Sequence, residues 1–201
     1  SMKEKMLIIA PVQSRSGYGV HSRAIAQSIL TDSDLMKRFD VQIMPLRWGN
    51  TPLTGLDVSN QNHLAIFKAL MTTDRIDYQP DVSIHITVPN EFQRVGKFSI
   101  GVTAGTEASI APVEFINGCN LMDLVITPSE FTKSVLINSI YDKKDQTGRV
   151  VHSIQIDKPI EVLFEGYDDE IYDKKLNTKS LDKFNFGKFA LLSVGTWLNG
   201  T

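Results

Sequence analysis

Short apolar runs alternate with amphipathic stretches along most of this chain. Met6-Leu7-Ile8-Ile9-Ala10 is continuously apolar, the pattern of a parallel strand covered on both faces. After it, Val20, Ala24, Ile25, Ile29 and Leu30 recur at helical spacing, with Arg23, Gln27 and Ser28 between them. The same reading predicts strands near Val41 to Met44, Val82 to Thr87, Phe98 to Thr103, Leu124 to Thr127 and Ile160 to Phe164. Helices are predicted over Val20 to Leu30, Asn62 to Leu70, Pro112 to Asn117 and Pro128 to Asn138. The last has a start signal: Thr127 as cap, Pro128 at the first helical position and Glu130 completing a capping box, with Phe131, Val135 and Leu136 as its apolar face. Alternation of this kind predicts βαβ units, hence a Rossmann-like α/β fold with a mostly parallel sheet and helices on both faces.

Two stretches interrupt the alternation. Leu46 to Ser59, with Trp48, Gly49, Pro52 and Gly55, is too long and too rich in turn formers for a bare connector and reads as a binding loop. Tyr141 to Lys158 reads either as an inserted β-hairpin arm, turning at Gln146-Thr147-Gly148, or as a solvated excursion without function. A last strand-like run, Phe189 to Val194, follows the polar stretch Asp173 to Lys183 and has no room after it for a helix. The expected organisation is one domain over 1–170, a linker over 171–188, and the first strand of a second, missing C-terminal βα domain over 189–201. Ser1 before Met2 reads as a remnant of tag cleavage.

Composition narrows the function classes. The 201 residues are 42% hydrophobic and 22% charged, with a net charge of -2, so no basic field invites nucleic acid. The single cysteine, Cys119, excludes an intrachain disulfide and reads as packing in a reducing, cytoplasmic setting. No apolar run reaches membrane-spanning length; peripheral membrane contact stays open.

The candidate chemistry begins at Ser16-Gly17-Tyr18-Gly19, where a strand hands over to a helix and amides are accessible to a phosphate. With Arg23, and with Thr106-Glu107, Pro112, Cys119 to Asp123, Leu124 to Lys133, Val162 to Asp168 and Leu192 to Trp197, this order of motifs resembles the first half of a GT-B glycosyltransferase. The similarity is to family 4 of the retaining enzymes, and its most specific stretch is Pro128 to Thr132. Two departures stand out: Phe164-Glu165-Gly166-Tyr167-Asp168 replaces the usual Pro-Asn-Gly-Val-Asp, and the 141–158 insertion is extra. The resemblance implies transfer of a sugar from a nucleotide-sugar donor to a glycan or other hydroxylated acceptor, with no further cofactor. It places the nucleotide mainly on a second domain.

Each candidate residue has a functional and a plain reading. Gly17, Tyr18 and Gly19 bring amides to the donor phosphates, or the glycines only make a tight turn. Arg23 pairs with an anion, or is solvated; His21 serves proton transfer, or is an exposed helical histidine. Trp48 stacks on a sugar ring or an acceptor. Glu107, taken as the catalytic-side carboxylate, orients acceptor hydroxyls, or caps a helix; His85 reads as a satisfied core histidine. Asp32-Ser33-Asp34 spells a metal-binding Asp-x-Asp pattern but falls at a helix end, and Asp168-Asp169-Glu170 reads as solvated, so no metal is expected. If strand-end loops converge, Gly17, Gly19, Trp48 and Glu107 border one open surface. The rivals are an NAD(P)-type oxidoreductase domain, from Gly17-x-Gly19-x-x-Ser22, and a non-catalytic glycan-binding domain of the same fold. Against the first, Pro11 to Ser16 intervene before the first glycine, a serine replaces the third, and no acidic residue ends the second strand.

Overall fold

The computed structural model describes residues 2–47 and 49–163. Trp48, the motif from Phe164 to Asp168, the cluster Asp168-Asp169-Glu170, and the linker and last strand expected over 171–201 lie outside the described residues. Its contacts divide the described chain into two compact units, one over residues 2–76 and one over 77–163.

The first unit contains β1 (Glu4–Ala10), α1 (Gly17–Thr31), α2 (Ser33–Arg38), β2 (Phe39–Pro45) and α3 (Gln61–Ala69). β1 and β2 pair in parallel from Glu4↔Phe39 to Ala10↔Pro45. Met6 to Ala10 are buried without a break, as expected for a strand covered on both faces. β2 instead alternates, with Phe39, Val41 and Ile43 buried and Asp40 exposed, which marks one solvated face. α1 departs from its predicted face. It starts at Gly17 rather than Val20 and buries Gly19, Ser22, Ile25, Ala26 and Ile29, leaving Val20 and Ala24 exposed. The small residues Gly19 and Ser22, not the larger aliphatic Val20, lie against the protein, because close approach of the backbone leaves no room for bulk. α2 went unread in the sequence; its cap is Asp32, whose Oδ1 accepts from the Asp34 and Leu35 N–H groups at 3.0 and 2.8 Å.

The second unit contains β3 (Val82–Ile86), a single 3₁₀ turn (Pro89–Glu91), β4 (Phe98–Val102), α4 (Val113–Asn120), β5 (Leu124–Thr127), α5 (Glu130–Asn138), β6 (Tyr141–Lys144), β7 (Val150–Ile154) and β8 (Ile160–Val162). β3, β4, β5 and β8 are neighbours in that order and all three pairings are parallel. Phe92, Ile116, Cys119, Met122, Val125, Val135, Leu136 and Ile160 form its core. The predicted arm over 141–158 is a hairpin: β6 and β7 pair antiparallel as a separate two-stranded sheet, and Gly148 turns with φ 81°.

The start of α5 corrects the predicted capping box. Thr127 stays in β5, and Ser129 is the cap, accepting from the Thr132 N–H at 3.1 Å. Pairing of Thr127 with Val162 extends the strand through the position expected for the cap. Phe131, expected on the buried face of α5, is 54% exposed, whereas Val135 and Leu136 are buried. The chain is thus α/β and Rossmann-like, with parallel strands alternating with helices. Among the described residues no helix is long and apolar enough to cross a membrane.

Candidate functional site

In the first unit the site is built on the turn from β1 into α1. The Ser16 N–H donates to Ser14 Oγ at 3.1 Å, and the Ser14 hydroxyl donates to Ser16 Oγ at 2.9 Å. Ser16 then caps α1 by accepting from the Gly19 N–H at 3.1 Å, so the helix opens directly at Gly17.

The carbonyl of Ser14 is the hub of this turn. Arg23 Nη1 donates to it at 2.5 Å and to the Val12 carbonyl at 3.0 Å. A Cβ at Gly19 or Gly55 would stand only 2.0 or 2.6 Å from the same oxygen. The Gly55 N–H donates to the Gln13 carbonyl at 2.9 Å and the Arg15 N–H to the Pro52 carbonyl at 3.2 Å. The predicted binding loop is therefore fastened onto the β1–α1 turn, with Arg23 beneath the junction. Arg23 is half-buried rather than solvated, with one arm of its guanidinium committed to backbone carbonyls. Burial lowers its pKa from the usual arginine range.

The two glycines separate. Gly19 is required by packing. Gly17 is exposed, and nothing lies within 4 Å of where its side chain would begin. Tyr18 is half-buried between them. His21 is also half-buried rather than exposed, and burial pushes its imidazole down to about 4, so it is neutral in neutral solution.

In the second unit the carboxyl end of β4 leads into residues 103–112, which carry Glu107. The Thr106 N–H donates to Thr132 Oγ1 at 3.3 Å, and the Ala108 N–H to Thr106 Oγ1 at 3.1 Å. Thr132, 3% exposed, is itself held by the Ser129 hydroxyl at 3.0 Å. Glu107 stands exposed just beyond this fastening. It caps no helix, since α4 begins after Pro112 without a side-chain cap. Glu161 on β8, which packs against α5, is half-buried; burial raises its carboxyl above the usual range, with Glu130 adding to and Lys133 opposing the shift. The sequence reading missed Ser14, Thr132 and Glu161. Only the Ser-x-x-Thr spacing from Ser129 to Thr132 was a usable signal.

His85 is the satisfied core histidine expected of it: 5% exposed, its Nδ1 accepts from the Gln93 N–H at 3.1 Å, and burial pushes it down to about 4. Cys119 is buried, and its thiol is pushed up to about 12 by that burial. Asp32 of the Asp-x-Asp pattern spends one carboxylate oxygen on the start of α2, a helix the sequence reading did not expect. Among the described residues no three His, Cys, Asp or Glu side chains gather as a metal-binding group.

No family model, curated protein or solved structure matches this chain.

Proposed function

We propose that this chain is the N-terminal, acceptor-side domain of a retaining, nucleotide-sugar-dependent glycosyltransferase of GT-B architecture. The observation that carries the reading is the contrast at the start of α1. Gly19 has an internal reason to lack a side chain, namely the Ser14 carbonyl. Gly17 has none, and it sits at the amide end of a 15-residue helix that follows a parallel strand. An open glycine there lets a diphosphate approach the helix N-terminus, where exposed amides and the helix dipole favour negative charge. As the glycosidic bond to the donor phosphate breaks, charge develops on the leaving diphosphate, and donors already in place lower that barrier. Glu107, exposed after the end of β4, is suited to accept hydrogen bonds from acceptor hydroxyls and fix the attacking one. The rest of the phosphate-binding groups belong to the second domain of this architecture. Residues 1–201 alone are expected to fold without turning over donor.

The six residues 11–16 between the end of β1 and the start of α1 weigh against the dinucleotide-binding alternative, whose fingerprint runs almost directly from strand to glycine. The test is radiolabelled sugar transfer from a panel of nucleotide sugars by the natural full-length protein. Glu107→Gln is expected to lower transfer about 10- to 100-fold, the loss of one hydrogen bond to a charged group, with an unchanged melting temperature. Turnover by residues 1–201 alone refutes the domain assignment. Unchanged transfer by the variant returns Glu107 to a structural role, and glycan binding without any transfer favours the non-catalytic module.

A further inference from the structure

The β6–β7 hairpin is a separate sheet set between α5 and β8. Its tip reaches solvent, with Val151 57% exposed, but its root is fixed. Tyr141 and Ile154 pair across the root, and both pack with Ile156 on the core of the second unit. Asn120 at the end of α4 donates from Nδ2 to the Gln155 carbonyl at 2.9 Å and accepts from the Asp157 N–H at 3.0 Å. The returning strand is thereby tied to α4.

Two bonds hold the far end of the loop that carries Glu107, the first from that root and the second from Ser139, the C-cap of α5. The Tyr141 hydroxyl donates to the Ala111 carbonyl at 2.5 Å, and the Ala111 N–H donates to Ser139 Oγ at 2.8 Å. Both polar backbone groups of Ala111 are held. The other end of the loop is held by Thr132 through the Thr106 N–H. Thr132 and Ser139 are seven positions apart at the two ends of α5, a span of about 10 Å. Between the two pins stand Glu107, Ala108, Ser109 and Ile110, all four exposed, with the Ala108 N–H bonded inside the loop to Thr106 Oγ1. The chain from Thr106 to Ala111 extends to about 17 Å, so its tip has length to bow outward but cannot stray.

We propose that the hairpin root is a brace for the acceptor loop, with Tyr141 as a positioning residue that sets where Glu107 stands. This rests on the acceptor-site reading of Glu107 given above. The brace acts by restricting the loop before acceptor arrives, so that less ordering is left for binding to impose.

Tyr141→Phe removes only the hydroxyl. Amide hydrogen exchange of Ala108 and Ala111, whose N–H groups are hydrogen-bonded, is expected to quicken about five- to tenfold, while amides of β4 and β5 exchange as before. In the full-length enzyme the KM for acceptor should rise several-fold with the KM for donor unchanged. Unchanged exchange at Ala108 and Ala111, or acceleration spread equally through β4 and β5, overturns the brace. Local loosening with an unchanged acceptor KM overturns its link to the acceptor. If the unsubstituted enzyme transfers no sugar, the glycosyltransferase reading falls, and the exchange measurement still judges the brace. Should Tyr141→Phe fail to fold, Asn120→Ala, which cuts the tie of the hairpin root to α4, is expected to quicken exchange at the same two amides, and unchanged exchange overturns the proposal.

Discussion

Alanine at Gly19 and alanine at Gly17 should have opposite effects, although the two positions lie in the same helical turn. At Gly17 the new Cβ meets nothing within 4 Å, so the only change is better helix propensity and a less flexible unfolded chain. Together these stabilise by about 0.5–1 kcal/mol. At Gly19 the same methyl lies 2.0 Å from the Ser14 carbonyl oxygen and 2.7 Å from its carbon, far inside the 3.4 Å where ordinary contact begins. Both atoms are backbone and cannot rotate away. The oxygen must retreat by more than 1 Å, and in retreating it leaves Arg23, which donates to it at 2.5 Å. Overpacking costs about 1–3 kcal/mol and a weakened charged hydrogen bond about 1.5–3, against a propensity gain of about 1. The net is a destabilisation of about 2–4 kcal/mol, or a fall in melting temperature of about 5–15 °C for a chain of this length. Thermal unfolding followed by circular dichroism, with urea midpoints as a second measure, reads both variants. A Gly19→Ala protein that melts as high as Gly17→Ala would refute the account of the Ser14 carbonyl as a crowded hub.

Asp32→Ala should lower the melting temperature by about 2–4 °C through loss of the α2 cap, equally with manganese or with a chelator present; a manganese-dependent stabilisation that disappears in the variant would instead make Asp32 a ligand. His85, neutral in the folded state and pushed down to about 4, takes up its proton more readily when unfolded. Its contribution to stability is complete above the ordinary histidine value near 6.5 and is lost as pH falls from there to about 4, at about 1.4 kcal/mol per pH unit. His21 acts in the same direction. Urea midpoints measured from pH 7.5 to 4.5 should fall accordingly and fall less steeply in His85→Asn, which leaves the His21 share; a flat profile in the unsubstituted protein contradicts the buried neutral state.

The strands and most helices were legible because their signal is local. Met6 to Ala10 and Leu124 to Ile126 are apolar without interruption, and a short run of that kind between turn formers fits a strand covered on both faces. The hairpin arm was legible from its turn, where Gly148 adopts a positive φ and Asp145 Oδ1 accepts from the Thr147 and Arg149 N–H groups at 2.8 and 3.0 Å. Glu107 was marked by its place after a predicted strand, and that place holds.

Tertiary structure decided which of the equivalent local signals prevailed. Thr127 and Ser129 are both competent caps; pairing of Thr127 with Val162 took it into β5 and left the cap to Ser129. Gly17 and Gly19 look alike in the sequence, and only the Ser14 carbonyl tells them apart. Arg23, Ser14 and Gly55 meet across 41 sequence positions with no periodicity to announce it, as do Tyr141 and Ala111 across 30. Hydrophobic burial follows patterns of two and of three to four residues, and those patterns are written along the chain. Hydrogen bonds from side chains to distant carbonyls follow no such pattern, because each depends on where two separately folded segments come to rest.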